Sequence, residues 1–145
     1  MTWIATATSL VAQSEGCRLT AYPDPATGDA PWTIGYGATG YGIAKGTVWT
    51  QAQADVDLQS RLALLGTQVD ACTRVKLNDN QKAALVSFAY NLGIGALRTS
   101  TLIALVSASR FGDAAAEFGK WVRAAGAIMP GLVVRRAREA ILFLS

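Results

Sequence analysis

The chain has 145 residues and no histidine. Catalysis through a Ser–His or Cys–His pair is therefore excluded, and a zinc site of the usual kind is disfavoured. Acid–base chemistry must come mainly from carboxylates, and two stand out by position. Glu15 falls at the C-terminal end of a short helix expected over about residues 3–15. Unpaired carbonyls and the negative end of the helix dipole surround a side chain at that place. An anion is disfavoured there, and a group that must carry a proton to its substrate is suited to it. Asp24 lies between Pro23 and Pro25 in a turn, where a solvated carboxylate stays ionised. Two carboxyl groups held in opposite protonation states are what glycoside hydrolysis requires. Taken alone, the same two residues also read as an ordinary helix end and an ordinary turn former.

The elements that must position these groups fall into three segments. In the first, Ile4, Ala7, Val11 and Ser14 share one helical face, and Gly16 supplies a left-handed stop. From about residue 16 to 50 the composition changes. Gly28, Gly35, Gly37, Gly40, Gly42 and Gly46 alternate with Pro23, Pro25, Pro31 and strand-favouring Thr, Tyr and Trp. This pattern predicts a small β lobe of hairpins and turns. From about residue 51 to 145 the chain is helical. Thr50 and Gln53 form a capping box ahead of Leu58, Leu62, Leu65 and Val69 at helical spacing. Asn78 and Gln81 repeat that signal, and Leu85, Phe88, Ala89 and Leu92 mark a buried stripe before Gly93. Further helices are expected around Thr101–Ser107, Asp113–Arg123 and Gly131–Leu144, the last with Val133, Ala137, Ala140, Ile141 and Leu144 as its apolar face. With no internal repeat or linker, residues 1–145 read as one α+β domain of two lobes. The cleft between them is the natural place for a ligand.

Bulk properties narrow the class further. The chain is 51% hydrophobic and 16% charged, with mean hydropathy +0.26, net charge +3 and pI about 9.1. The charge is uneven. Arg98, Arg110, Lys120, Arg123, Arg135, Arg136 and Arg138 face only Asp113, Glu117 and Glu139 in the last third. A cationic half suits a polyanion such as cell wall, nucleic acid or an anionic membrane, and equally serves simple solubility. Neither a phosphate-binding glycine loop nor a helix-turn-helix reader is visible, so nucleic acid is not expected as a partner. Cys17 and Cys72 are too few for a disulfide scaffold and read as free thiols, with a single bridge left open. Thr2–Gln13 lacks the basic start of a secretory leader, and no run of 18 apolar residues spans a membrane.

The string Glu15-Gly16-Cys17-Arg18-Leu19-Thr20-Ala21-Tyr22-Pro23-Asp24, followed by Trp32-Thr33-Ile34-Gly35-Tyr36-Gly37, resembles the signature of phage-type lysozymes, the endolysin muramidases. The resemblance continues in order through Gln81–Leu85, Phe88–Gly93, Ser100–Leu102, Trp121–Arg123, Gly126, Pro130–Leu132, Arg135-Arg136 and Glu139. It implies a lysozyme-like fold and hydrolysis of the β-1,4 bond between N-acetylmuramic acid and N-acetylglucosamine in peptidoglycan, without a cofactor or metal. By the same resemblance Glu15 is the general acid. Asp24 is the second carboxylate, which stabilises positive charge and directs water, and Thr33 is the hydroxyl that orients that water. An inverting displacement would set the carboxyl groups roughly 6.5–9.5 Å apart. Tyr22, Tyr36 and Asn91 are expected to line the glycan groove. Arg135 or Arg136 is expected either to reach the cleft and pair with Glu15 or to lie on a solvated helix face. Phe88, Tyr90 and Trp121 read as core.

The pattern departs from the family in three places. The loop between Asp24 and Thr33 is longer than in the shortest members, which makes Asp29 a rival second carboxylate. Ala38 stands where histidine is common, and Ala127 where a second glycine is common. The resemblance also implies a monomer that gathers in the host cytoplasm until a separate membrane-permeabilising protein releases it to the wall. Arg135, Arg136 and Arg138 on the last helix raise the further expectation of an anionic outer-membrane surface as partner. Two alternatives stay open: a lytic transglycosylase, and a non-catalytic cationic wall-binding domain.

Overall fold

The computed structural model describes residues 2–145. Among them the chain forms α1 (Trp3–Glu15), β1 (Arg18–Tyr22), β2 (Thr33–Gly35), α2 (Gln51–Cys72), α3 (Asp79–Leu92), α4 (Ile94–Arg98), α5 (Thr101–Ser107), α6 (Phe111–Phe118), β3 (Arg123–Ala124), β4 (Ala127–Ile128) and α7 (Pro130–Phe143). The class is α+β. Two compact units share these elements. One is Val11–Arg61; the other takes the N-terminal segment up to Leu10 together with Leu62–Ser145.

Within Val11–Arg61, α1 stops where Gly16 adopts φ +69°, as its sequence position predicts. β1 and β2 then pair antiparallel, with Arg18 opposite Gly35 and Tyr22 opposite Thr33 across an irregularity. Ala21 and Ile34 point into a small core with Ala38, covered by Trp32, Ile43 and Trp49. Gly35 is required by geometry as well as by its φ of +64°. A Cβ there would stand 2.9 Å from the Trp49 ring. The Thr50–Gln53 box opens α2 in both directions: Gln53 N–H donates to Thr50 Oγ1 at 3.1 Å, and Thr50 N–H to Gln53 Oε1 at 2.8 Å.

In the second unit the Asn78–Gln81 box caps α3 in the same way. The sequence predicts a buried stripe on α3; instead every residue from Ala83 to Ala89 is buried. α3 is thus a central helix, packed on α4 and α7. Phe88 meets Phe118 and Trp121 edge-on, at centroid distances of 5.8 and 5.4 Å, and Phe143 continues the ring cluster. The helix expected over Asp113–Arg123 ends early, at Phe118. The β3–β4 hairpin follows, turned by Ala125 (φ +51°) and Gly126 (φ +80°).

α7 reverses the expected face. Val133, Ile141 and Leu144 are 43%, 70% and 61% exposed, whereas Arg135, Arg136 and Glu139 are buried with Phe143. The charged residues can go inward because Glu139 meets both arginines at helical spacing. Of the three arginines expected to make α7 a cationic membrane-binding surface, only Arg138 remains exposed.

Trp3 locks the start of α1 into this second unit. Its ring lies against Gly66, where a Cβ would come within 2.6 Å of Trp3 Cζ2. Lys82 Nζ sits 4.5 Å over the ring and 2.7 Å from Asp70 Oδ2. Replacing Gly66 by alanine should therefore expel the indole and lower stability by about 1–3 kcal/mol. The midpoint of urea unfolding measures this. An unchanged midpoint would mean that the ring is not held.

Candidate active site

Glu15 is the last residue of α1 and is exposed. Its carboxylate reaches the turn after β2: Oε2 stands 3.6 Å from where a Cβ on Gly37 would lie. That turn is tied to the first turns of α2. Gln51 Nε2 donates to Tyr36 Oη at 3.1 Å and to Asp55 Oδ1 at 2.8 Å, and it lies 3.8 Å from Cys17 Sγ. Tyr36 in turn donates to Asp55 Oδ1 at 3.3 Å. Partial burial raises the Tyr36 pKa, the Gln51 hydrogen bond opposes this, and Cys17 and Asp55 add to it. Arg61 Nη1 donates to the Gly37 carbonyl at 3.5 Å while its Nε pairs with Asp57 at 3.2 Å.

Asp24 is half-buried and roots the long loop. Its Oδ1 accepts from Ala26 N–H at 2.9 Å, its carbonyl from Gly28 N–H at 2.7 Å, and its own N–H donates to the Asp29 carbonyl at 2.9 Å. The loop thus closes on itself ahead of β2. Asp24 follows Tyr22 by two residues, and Thr33 lies directly across from Tyr22, so both groups come to one end of the hairpin. Asp29 is exposed in the turn. Ala38, where the resemblance leads one to expect histidine, is fully buried beside Ala21 and Ile34.

Glu15, Tyr22, Asp24, Thr33 and Tyr36 all belong to Val11–Arg61; Asn91 and Arg135 belong to the other unit. Asn91 is half-buried, and its Oδ1 accepts from Arg136 Nη2 at 2.9 Å. Arg135, expected to line a groove, is only 4% exposed. Its Nη2 donates to the Ser87 carbonyl at 3.1 Å, and its Nε lies 3.4 Å from Glu139 Oε2. Arg136, one of the residues expected on a solvated face, is fully buried, with Nε 2.8 Å from Glu139 Oε1 and its guanidinium 5.0 Å from the Phe88 centroid. Ser87 Oγ donates to Glu139 Oε2 at 2.5 Å. Burial raises the Glu139 pKa, and Arg136, Ser87 and Arg135 offset part of that rise. Sequence reasoning did not identify this cluster, although Glu139 follows the two arginines at the i+4 and i+3 spacings that bring helical side chains together.

Among the described residues, no three of His, Cys, Asp and Glu gather to hold a metal ion, and no helix is long and apolar enough to cross a membrane. Cys17 and Cys72 are free.

A family model described as phage lysozyme matches residues 12–139. The chain is 39% identical over 137 residues to the endolysin of Bacillus phage PZA, covering 94% of this chain and 53% of that protein. It is 36% identical to the endolysin of Acyrthosiphon pisum secondary endosymbiont phage 1, covering 94% of this chain and 93% of the relative. The chain therefore spans about half the length of the Bacillus phage relative and nearly all of the second. Among solved structures, the muramidase domain of SpmX from Asticaccaulis excentricus superposes with a TM-score of 0.86 at 33% identity, covering 97% of this chain and 95% of the other. The fold is lysozyme-like.

Removing one partner of a buried ion cluster leaves the others uncompensated. Glu139→Ala should cost about 3–5 kcal/mol. Arg138→Ala, on the exposed side of the same helix, should change stability by less than ~0.5 kcal/mol. Urea unfolding of both variants checks the contrast; equal effects would remove the cluster's special standing.

Proposed function

We propose, from the premise that this chain belongs to the phage lysozyme family, that it is a muramidase cutting the β-1,4 bond between N-acetylmuramic acid and N-acetylglucosamine in peptidoglycan. The observation that carries the reading is the grouping of Glu15, Asp24 and Thr33 in one compact unit, on a helix end and one end of a hairpin. Glu15 gives its proton to the glycosidic oxygen. Asp24 stabilises the positive charge that develops on the sugar and draws water to the opposite face. The Thr33 hydroxyl, held by strand pairing opposite Tyr22, orients that water. The displacement is then inverting. Tyr22 offers a ring face to the glycan. A lytic transglycosylase needs the acid but neither the water-directing carboxylate nor the hydroxyl, so the presence of all three favours hydrolysis.

Release of reducing ends from purified peptidoglycan, with fragments analysed by mass, tests this. Glu15→Gln should lower the rate at least ~10²-fold, the scale of general acid catalysis. Asp24→Asn and Thr33→Ala should each slow hydrolysis without changing the bond cut. Wild-type fragments should end in reducing muramic acid. Anhydro ends would mark a transglycosylase, and equal rates for wild type and Glu15→Gln would remove Glu15 as the acid.

A further inference from the structure

The face of the β1–β2 hairpin turned away from its core carries a cation for which the reaction above has no use. Ala21 and Ile34 point inward. Tyr22 and Thr33, next to them and opposite each other, therefore point outward together. Arg18 stands four residues before Tyr22, across the irregularity in the strand, and its guanidinium carbon lies 4.5 Å over the Tyr22 ring. Arg18 is exposed, and among the described residues no carboxylate pairs with it. Other arginines, such as Arg61, Arg110, Arg135 and Arg136, have an acidic partner.

Stacking on an aromatic ring occupies the flat face of a guanidinium and leaves its N–H edge outward. That edge is a fork matched to the two oxygens of a carboxylate. The ring also restrains a side chain that would otherwise lose much freedom on binding. The cation is thus presented beside Tyr22, which itself lies across from Thr33 and two residues before Asp24. N-acetylglucosamine is neutral. The muramic residue carries a lactyl carboxyl group, which is either free or extended by a peptide bearing carboxylates of its own.

We infer that Arg18 is a specificity residue that receives a carboxylate borne by the muramic residue. This inference rests on the muramidase reading. It makes the Arg18–Tyr22 pair the feature that favours peptidoglycan strands over uncharged N-acetylglucosamine polymers.

The test compares wild type, Arg18→Gln and Arg18→Lys on three substrates by reducing-end release. The first is native peptidoglycan, the second the same strands stripped of peptide by an amidase, and the third native strands with their carboxyls converted to methylamides. On native strands Arg18→Gln should lower kcat/KM about tenfold or more, mainly through KM, as expected for loss of a charge-assisted hydrogen bond. Arg18→Lys should recover part of it. Methylamidation should bring wild type down to the level of Arg18→Gln and leave that variant nearly unchanged. On peptide-stripped strands, whose lactyl carboxyls are free, a retained advantage of wild type over Arg18→Gln shows that Arg18 also receives the lactyl carboxylate, and a lost advantage confines it to the carboxylates of the peptide. Equal kcat/KM for wild type and Arg18→Gln on native strands would overturn the inference, as would methylamidation slowing both proteins by the same factor. Neither result touches the muramidase reading, which fails if wild-type fragments do not end in reducing muramic acid.

Discussion

The pairing of Tyr22 with Thr33 is the constraint on which the rest of Val11–Arg61 depends. Strand side chains alternate with a period of two, so this register sends Ala21 and Ile34 into the core and Tyr22 and Thr33 outward. A slip by one residue would reverse every one of these directions. The apolar set therefore specifies the placement of the polar one: burying Ala21, Ile34 and Ala38 under Trp32, Ile43 and Trp49 is what holds the Thr33 hydroxyl on the opposite face. The loop between the strands gains its freedom from the same arrangement. Because Asp24 accepts the loop's backbone N–H groups itself, the loop is closed before Thr33 and does not pull on its partner.

The helical unit solves a different problem. A carboxylate and two guanidinium groups are taken out of water around α3 and α7, which is costly unless the geometry is good. Here Glu139 is met by Arg136, Arg135 and the Ser87 hydroxyl, and Arg136 is further engaged by Asn91 and by the Phe88 ring. Such a cluster adds less stability than an apolar core of the same volume would, but it admits few arrangements. It sets the rotation of α7 about its own axis, which in turn exposes Val133, Ile141 and Leu144.

That rotation is the feature of the helical unit least visible in the sequence. Signals that depend on neighbouring residues were legible. Both capping boxes and the left-handed stop at Gly16 occur where their residues predict, because each is closed by hydrogen bonds or backbone angles within a few positions. The face of α7 was not legible, because apolar periodicity assumes that charges face water. A pair of arginines with a glutamate three and four residues on can satisfy itself inside. The β3–β4 hairpin was missed for another reason. Arg123-Ala124-Ala125-Gly126-Ala127-Ile128 has little strand preference, and its turn holds Ala125 at a positive φ that alanine seldom adopts. The position of Thr33 was readable only through its flanking motif, since a threonine in a strand has no signature of its own.

The network around Gln51 shows how a local rule can serve a distant group. Thr50 and Gln53 begin α2 for reasons of backbone hydrogen bonding alone. Beginning the helix there places Gln51 in its first turn and Asp55 one turn later, on the same face. From that face Gln51 and Asp55 both engage the Tyr36 hydroxyl, and Gln51 also reaches Cys17. Tyr36 adjoins Gly37, the residue facing the Glu15 carboxylate, and Cys17 stands two residues after Glu15. The start of α2 thus holds both sides of the space around Glu15. A shift of that helix start by one residue would rotate Gln51 and Asp55 by about 100° and break both connections together.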